Sequence, residues 1–310
     1  MRKLFAFLAV SAMLFAACAE DNPAIGGTGA TGGALPTGGS GSTGSPADCA
    51  ASDAIPYKTP GSLTIGTDNP VFQPWFAGSG DYGPWKAKPS SGTGNPASGE
   101  GFESAFAYAL ADQLGFSKDQ VTWVPLDFNE SYKPGPKDYD LYIGQVSHTP
   151  ERAQAVTFSE GYYDVNQALV ANKGTPITQA TSINDLKSYK LGAQIGTTSY
   201  AFIQDEIQPD QQPAVFDRSV DVIQALNNGQ IDGYVVDAPA AYVNVLIGQA
   251  KNGVVVGQFP NVGEYFGAIF ENGNPLVDCV NAGIEALKND GTLADLQSKW
   301  LKDITYPVLQ

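Results

Sequence analysis

The sequence predicts an α/β fold with mainly parallel sheets, because short β-rich segments alternate with helical periodicities along most of the chain. Two patterns carry this. Phe102, Phe106, Leu110 and Leu114 recur every fourth residue, the spacing of one apolar helix face, and Gly115 stops the run. Residues 231–236 form a β-rich run that ends at Asp237. The remaining elements follow in order. Leu63, Thr64 and Ile65 alternate like a strand, and 71–98 is rich in Gly, Pro and Ser and reads as a long loop. Strands are expected over 121–125, 141–146, 167–170 and 191–195, the last just before Gly196. A helix follows near Tyr200 and a strand near Val215 and Phe216. Residues 220–227 are helical and end at Asn228-Gly229. A strand over 265–270 precedes a helix over 275–287, and Leu293, Leu296 and Trp300 mark a last helix. Thr292, with Asp295 three residues on, is its expected cap. No internal repeat is evident.

The N-terminus reads as an export signal over 1–17. Met1-Arg2-Lys3 is a positive region, and the apolar run over 4–15 is short for a bilayer span. Ala16-Ala17-Cys18 looks like a bacterial lipobox, with Phe15 where leucine is usual, which implies cleavage before Cys18 and lipid on it. Ordinary cleavage after Ala17 or Ala19 is the alternative. Residues 18–57 are then a lipid-anchored flexible linker, since Gly, Thr, Ser, Ala and Pro dominate up to Ala47. Such a coil of roughly thirty residues reaches about 30 Å. The remaining chain suffices for one large or two smaller lobes, and it carries no second hydrophobic stretch of membrane length.

The net charge is −15, and becomes −17 once Arg2 and Lys3 are removed with the signal. That balance excludes nucleic acid and charge-driven binding to anionic lipid. Cys49 and Cys279 remain besides Cys18, and an exported compartment permits a disulfide between them; two free thiols are the alternative. His148 is the only histidine, so it reads as a structural or rim residue, and no metal site is expected.

Beyond the signal, only Arg152 and Arg218 are arginines. Arg152 lies among Ser147, Thr149, Thr157 and Ser159. A guanidinium set among hydroxyls suits a planar carboxylate, because its fork of donors grips both oxygens. A solvated surface arginine is the other reading.

Several short pieces now line up: Leu63-Thr64-Ile65-Gly66-Thr67-Asp68, Gly101-Phe102-Glu103, the run from Ser147 to Tyr163, and Gly196-Thr197-Thr198. Gly229-Gln230-Ile231-Asp232-Gly233 with Asp237, and Asp290-Gly291-Thr292 before Trp300, complete the set. In this order and spacing the chain resembles family 3 of the bacterial solute-binding proteins, the amino-acid receptors of ABC importers. The loop over 77–99 is long for that pattern, Glu103 replaces the usual aspartate, and His148 interrupts the run between Ser147 and Thr149.

The resemblance implies a two-lobed, periplasmic-binding-protein-like (type II) fold with two hinge crossings. Lobe 1 would hold 58–166 plus 264–310 and lobe 2 would hold 167–263, with crossings near 167–170 and 265–270. It further implies an extracytoplasmic, lipid-anchored monomer that binds an amino acid or closely related small zwitterion and delivers it to ABC permease subunits. Neither cofactor nor catalysis is expected. Arg152 takes the ligand's carboxylate, with Ser147 as a second polar contact. Thr198, beside Thr197, starts a lobe 2 helix and takes the other face of the carboxylate. Asp237 takes the ammonium, Asp68 assists, and Gln145 offers its backbone carbonyl. Phe72 and Phe128 are aromatic walls, while Trp75 packs in lobe 1. The alternatives are that Thr198 and Asp237 only cap helices, that Asp68 only shapes its turn, and that the aromatics are core. A ligand bridging Arg152 and Asp237 would favour closure.

Two other functions fit the same scaffold. A dehydratase-like enzyme needs an acid or base in the cleft, for which His148 and Glu130 are the only loosely placed candidates. A sensor would use the lobes to signal to a partner protein.

Overall fold

The computed structural model describes residues 46–260, 263–301 and 306–310. The expected signal peptide, Cys18 and most of the expected linker lie outside them. The described residues belong to one unit, Gly44–Gln310.

The first half of the chain runs β1 (Leu63–Thr67), β2 (Asp81–Tyr82), β3 (Trp85–Lys86), α1 (Phe102–Gln113), β4 (Val121–Pro125), α2 (Phe128–Ser131), β5 (Leu141–Tyr142) and β6 (Thr157–Asp164). It then crosses to β7 (Gln167–Asn172), β8 (Leu191–Gln194), α3 (Thr198–Phe202), β9 (Ala214–Phe216), α4 (Ser219–Asn227), β10 (Gly233–Asp237), α5 (Ala238–Leu246) and β11 (Gly253–Gln258). It returns through β12 (Tyr265–Phe270), followed by α6 (Leu276–Asn289) and α7 (Thr292–Trp300).

Two five-stranded sheets result, β4-β1-β5-β12-β6 in lobe 1 and β11-β7-β10-β8-β9 in lobe 2. They are mixed, which corrects the expectation of mainly parallel sheets. β1 is parallel to β4 and β5, and β8 is parallel to β9 and β10. β12 and β7 are antiparallel to their neighbours. Both are strands that enter a sheet from the other lobe, so they arrive against the direction set by the local βαβ units.

β7 lies between two strands of its sheet and is buried on both faces, which explains the apolar run over 168–171. Leu169 and Ala171 join a core with Ile177, Leu191 and Phe202 on one face. Ala168 and Val170 join Val222, Leu226 and Tyr234 on the other. In lobe 1, α1 buries Phe102, Phe106 and Leu110 against β1 and α6. Gly101 opens that helix at φ +94°, where a Cβ would meet the Trp75 carbonyl at 2.5 Å, so only glycine fits.

Cys49 and Cys279 form a disulfide with Cα atoms 6.3 Å apart, tying the entering chain to α6. Residues 306–310 pack on lobe 2, not on lobe 1 where the sequence expectation puts them. Val308 bridges to Gln258 and Leu309 is buried in the lobe 2 core. The long loop after β1 also reaches lobe 2, where Gln249 Nε2 donates to the Ser91 carbonyl at 2.9 Å. Among the described residues, no helix is long and apolar enough to cross a membrane.

Candidate functional site

The carboxyl ends of β1, β4, β8 and β10 open onto one cavity of about 520 Å³, the usual place for a ligand in such sheets. It is lined by residues of both lobes, including Asp68, Phe72, Phe128 and Arg152 from lobe 1 and Thr198 and Asp237 from lobe 2.

Arg152 begins a short 3-10 turn and is buried. Its Nη1 donates to the Ser147 carbonyl at 2.7 Å, and its Nη2 donates to the Gly196 carbonyl of lobe 2 at 2.8 Å. The guanidinium lies over the rings of Tyr132, at 4.5 Å, and Phe128, at 5.5 Å. Burial lowers its pKa, while Tyr132, Glu264 and Asp237 pull it back up. The other arginine is different: Arg218 is exposed and pairs with Asp221 at 3.1 Å.

Asp237 ends β10 opposite Gln167 of β7, and Gln167 Nε2 donates to Asp237 Oδ1 at 2.8 Å. Burial, and next the Glu264 carboxylate, push the Asp237 pKa well above the usual carboxylate range. Gln167 Nε2 also reaches Glu264 Oε2 at 3.0 Å. The hydroxyls of Ser147 and Thr198 both donate to Glu264 Oε1, each at 2.5 Å.

The helix cap at the start of α3 is Thr197, whose hydroxyl oxygen accepts from the Tyr200 N–H at 3.1 Å. Thr198 is therefore free of that duty and turns to Glu264 instead. Gln145 adopts a left-handed backbone at φ 52°, rare for a non-glycine residue. Buried Glu103 holds it there, accepting from the Gln145 N–H at 2.8 Å, from its side-chain amide, and from the Tyr162 hydroxyl at 2.5 Å. Burial raises the Glu103 pKa to about 7.

Asp68 accepts from the Asn69 N–H at 2.7 Å, and its carbonyl accepts from Trp85 Nε1 at 2.8 Å. Burial lifts its pKa to about 6, and the charge of Asp127 adds to the rise. Phe72 and Phe128 are half-buried on the lobe 1 wall, whereas Trp75 packs edge-on against Phe102, Tyr163 and Phe266 in the core. His148 lies elsewhere, stacked on Tyr265 at 5.2 Å, whereas Glu130 lines the cavity and pairs with Lys133 at its exposed edge.

The cavity thus brings together Arg152, Ser147, Gln145, Thr197, Thr198, Asp237, Asp68, Phe72 and Phe128. Sequence reasoning missed Tyr132, Gln167 and Glu264. Gln167 could have been found from strand pairing with Asp237; Tyr132 and Glu264 come from segments without periodicity.

Residues 77–303 match the model of the bacterial extracellular solute-binding proteins, family 3. The chain belongs to that family. Among similar proteins, an ABC transporter arginine-binding protein from Escherichia coli (strain K12) is 30% identical over 207 residues, covering 64% of this chain and 81% of the relative. An ABC transporter glutamine-binding protein from Bacillus subtilis (strain 168) is 28% identical over 223 residues, covering 68% and 77%. Among solved structures, an ancestral amino acid-binding protein described as a precursor of cyclohexadienyl dehydratase superposes with a TM-score of 0.59. It is 28% identical, covering 78% of this chain and 95% of its own.

Proposed function

We propose that this family 3 protein binds an α-amino acid between its lobes and delivers it to an ABC importer. The observation that carries the reading is Arg152, a buried guanidinium fastened to a carbonyl of each lobe and sharing a cavity with the half-buried acid Asp237. An α-amino acid carries the matching pair of charges on one carbon, and either charge buried alone would be costly. In this reading Arg152 takes the carboxylate and Asp237 the ammonium. Contact with both lobes makes closure depend on the ligand. The same proposal includes export and a lipid anchor on Cys18, which rest on the sequence, and action as a monomer.

A second pair of acids in the cavity favours a cationic side chain. Asp68 sits near Asp127 there, and burial holds Asp68 partly protonated with a pKa of about 6. A guanidinium or ammonium placed between them would relieve that repulsion. The relative named for arginine supports this class, and the one named for glutamine supports a polar side chain. We read the protein as a carrier without turnover, in keeping with the relatives named as ABC transporter binding proteins.

Titration calorimetry with L-arginine, L-lysine and L-glutamine tests the reading. The cationic pair should bind more tightly. Arg152→Ala should weaken binding by about a hundredfold or more, the cost of burying a carboxylate without its partner. Unchanged affinity in that variant would remove Arg152 from the carboxylate role.

A further inference from the structure

Glu264 stands immediately before β12, where the chain returns from lobe 2 to lobe 1. Its carbonyl accepts from the Val165 N–H at 3.0 Å, which joins the two crossings through their backbones. Its carboxylate does something else. One oxygen accepts at 2.5 Å from the Ser147 hydroxyl of lobe 1 and at 2.5 Å from the Thr198 hydroxyl of lobe 2. The two hydroxyl oxygens are 3.4 Å apart, so a single carboxylate oxygen spans the lobes. The other oxygen accepts from Gln167, which also holds Asp237.

These are the two hydroxyls that a ligand carboxylate beside Arg152 would be expected to use. Each hydroxyl has one proton to donate. With both protons given to Glu264, Ser147 and Thr198 offer only lone pairs to the cavity, which repel an incoming carboxylate. The Glu264 charge is also felt by Arg152 and by Asp237. It offsets the attraction of Arg152 for a carboxylate, and it works against the ionised Asp237 that an ammonium needs.

We infer that Glu264 is a built-in competitor for the ligand's carboxylate, a residue whose charge clasps the two lobes together and that the ligand must displace. The inference rests on the amino-acid reading above for the identity of what is displaced. It makes an unusual demand: removing an acid next to the ammonium site should tighten amino-acid binding. Glu264→Gln keeps the shape and removes the charge. The receptor fraction able to accept ligand rises, and apparent affinity rises with it.

The test uses the full chain, wild type and Glu264→Gln. Without ligand, small-angle X-ray scattering should show a larger radius of gyration for the variant, because the lobes lose their charged clasp. In calorimetry, the variant should bind L-arginine about tenfold more tightly, the scale of one charge-assisted hydrogen bond. Agmatine, which is arginine without its carboxylate, should gain clearly less affinity than L-arginine from the substitution, because only the freeing of the lobes and of Asp237 acts on it, whereas a general loosening of the fold would change both ligands alike. Unchanged scattering, or L-arginine affinity that stays level or falls, overturns the inference. If wild type binds none of the amino acids offered, the amino-acid reading fails by itself, and the scattering comparison still decides whether Glu264 holds the lobes together.

Discussion

Gln167 and Asp237 face each other across antiparallel strands, and one amide nitrogen of Gln167 is shared between Asp237 and Glu264 at 2.8 and 3.0 Å. Gln167 opens β7, the first strand after the crossing into lobe 2, and Asp237 ends β10 at the cavity. In the proposed reading, a residue at the crossing thus orients the acid of the binding site, and closure and ligand recognition share one hydrogen-bond network.

Asp237 gives the first prediction. Burial and the Glu264 charge hold its pKa high, so it keeps a proton at pH values where an exposed aspartate would not. A ligand ammonium favours the ionised form and lowers that pKa. Binding below that raised pKa must then release a proton, and affinity must rise with pH up to it. Calorimetry at pH 7 in buffers of different ionisation enthalpy should show the release. Asp237→Asn should abolish it and weaken binding by about 2–5 kcal/mol.

Glu103 governs stability in a definite direction. Its pKa is about 7 in the folded state against an ordinary value of 4.5, so between those values the folded protein binds more protons than the unfolded chain. Its effect is therefore to lower stability as pH rises from 4.5 to 7, by on the order of 3 kcal/mol for a fully buried group. Asp68 acts in the same direction below about pH 6. Ligand-free thermal melts across this range should separate wild type from Glu103→Gln, with the difference between them growing as pH rises.

The Cys49–Cys279 disulfide closes a loop of 230 residues without touching the cavity. Replacing both cysteines by serine should cost about 3 kcal/mol, seen as a lower Tm in the absence of reductant. Ligand affinity should be unchanged.

Tyr132 covers the Arg152 guanidinium at 4.5 Å while its hydroxyl donates to Asn129 Oδ1 at 2.6 Å. Tyr132→Ala should weaken amino-acid binding about tenfold through lost cation–π contact and desolvation, while Tyr132→Phe keeps most of it. Calorimetry of the two variants side by side distinguishes the ring from the hydroxyl.

Much of this was legible before any coordinates. The fourth-residue spacing from Phe102 to Leu114 marks α1 because a helix must bury one face. β7 shows as an apolar run because it is buried on both faces. Other elements escaped. β6 mixes Thr, Ser, Glu and Gly with its aromatics and is only partly buried, so it lacks a readable period. α5 and β11 lie in a stretch whose small apolar residues suit either element.

At the site the division is chemical. Sequence alone determined which side chains could hold opposite charges, since Arg152 is one of two arginines beyond Arg2 and Asp237 ends a recognisable strand. Only the tertiary structure decided who is bound to whom. It placed Thr197 as the cap, gave Arg152 a carbonyl from each lobe, and seated Glu264 on the hydroxyls of Ser147 and Thr198. Ser147 and Glu264 are separated by 117 residues, so no local propensity could signal their contact. Periodicity records what a residue must be buried against; a hydrogen bond across two lobes exists only once the chain has crossed between them twice.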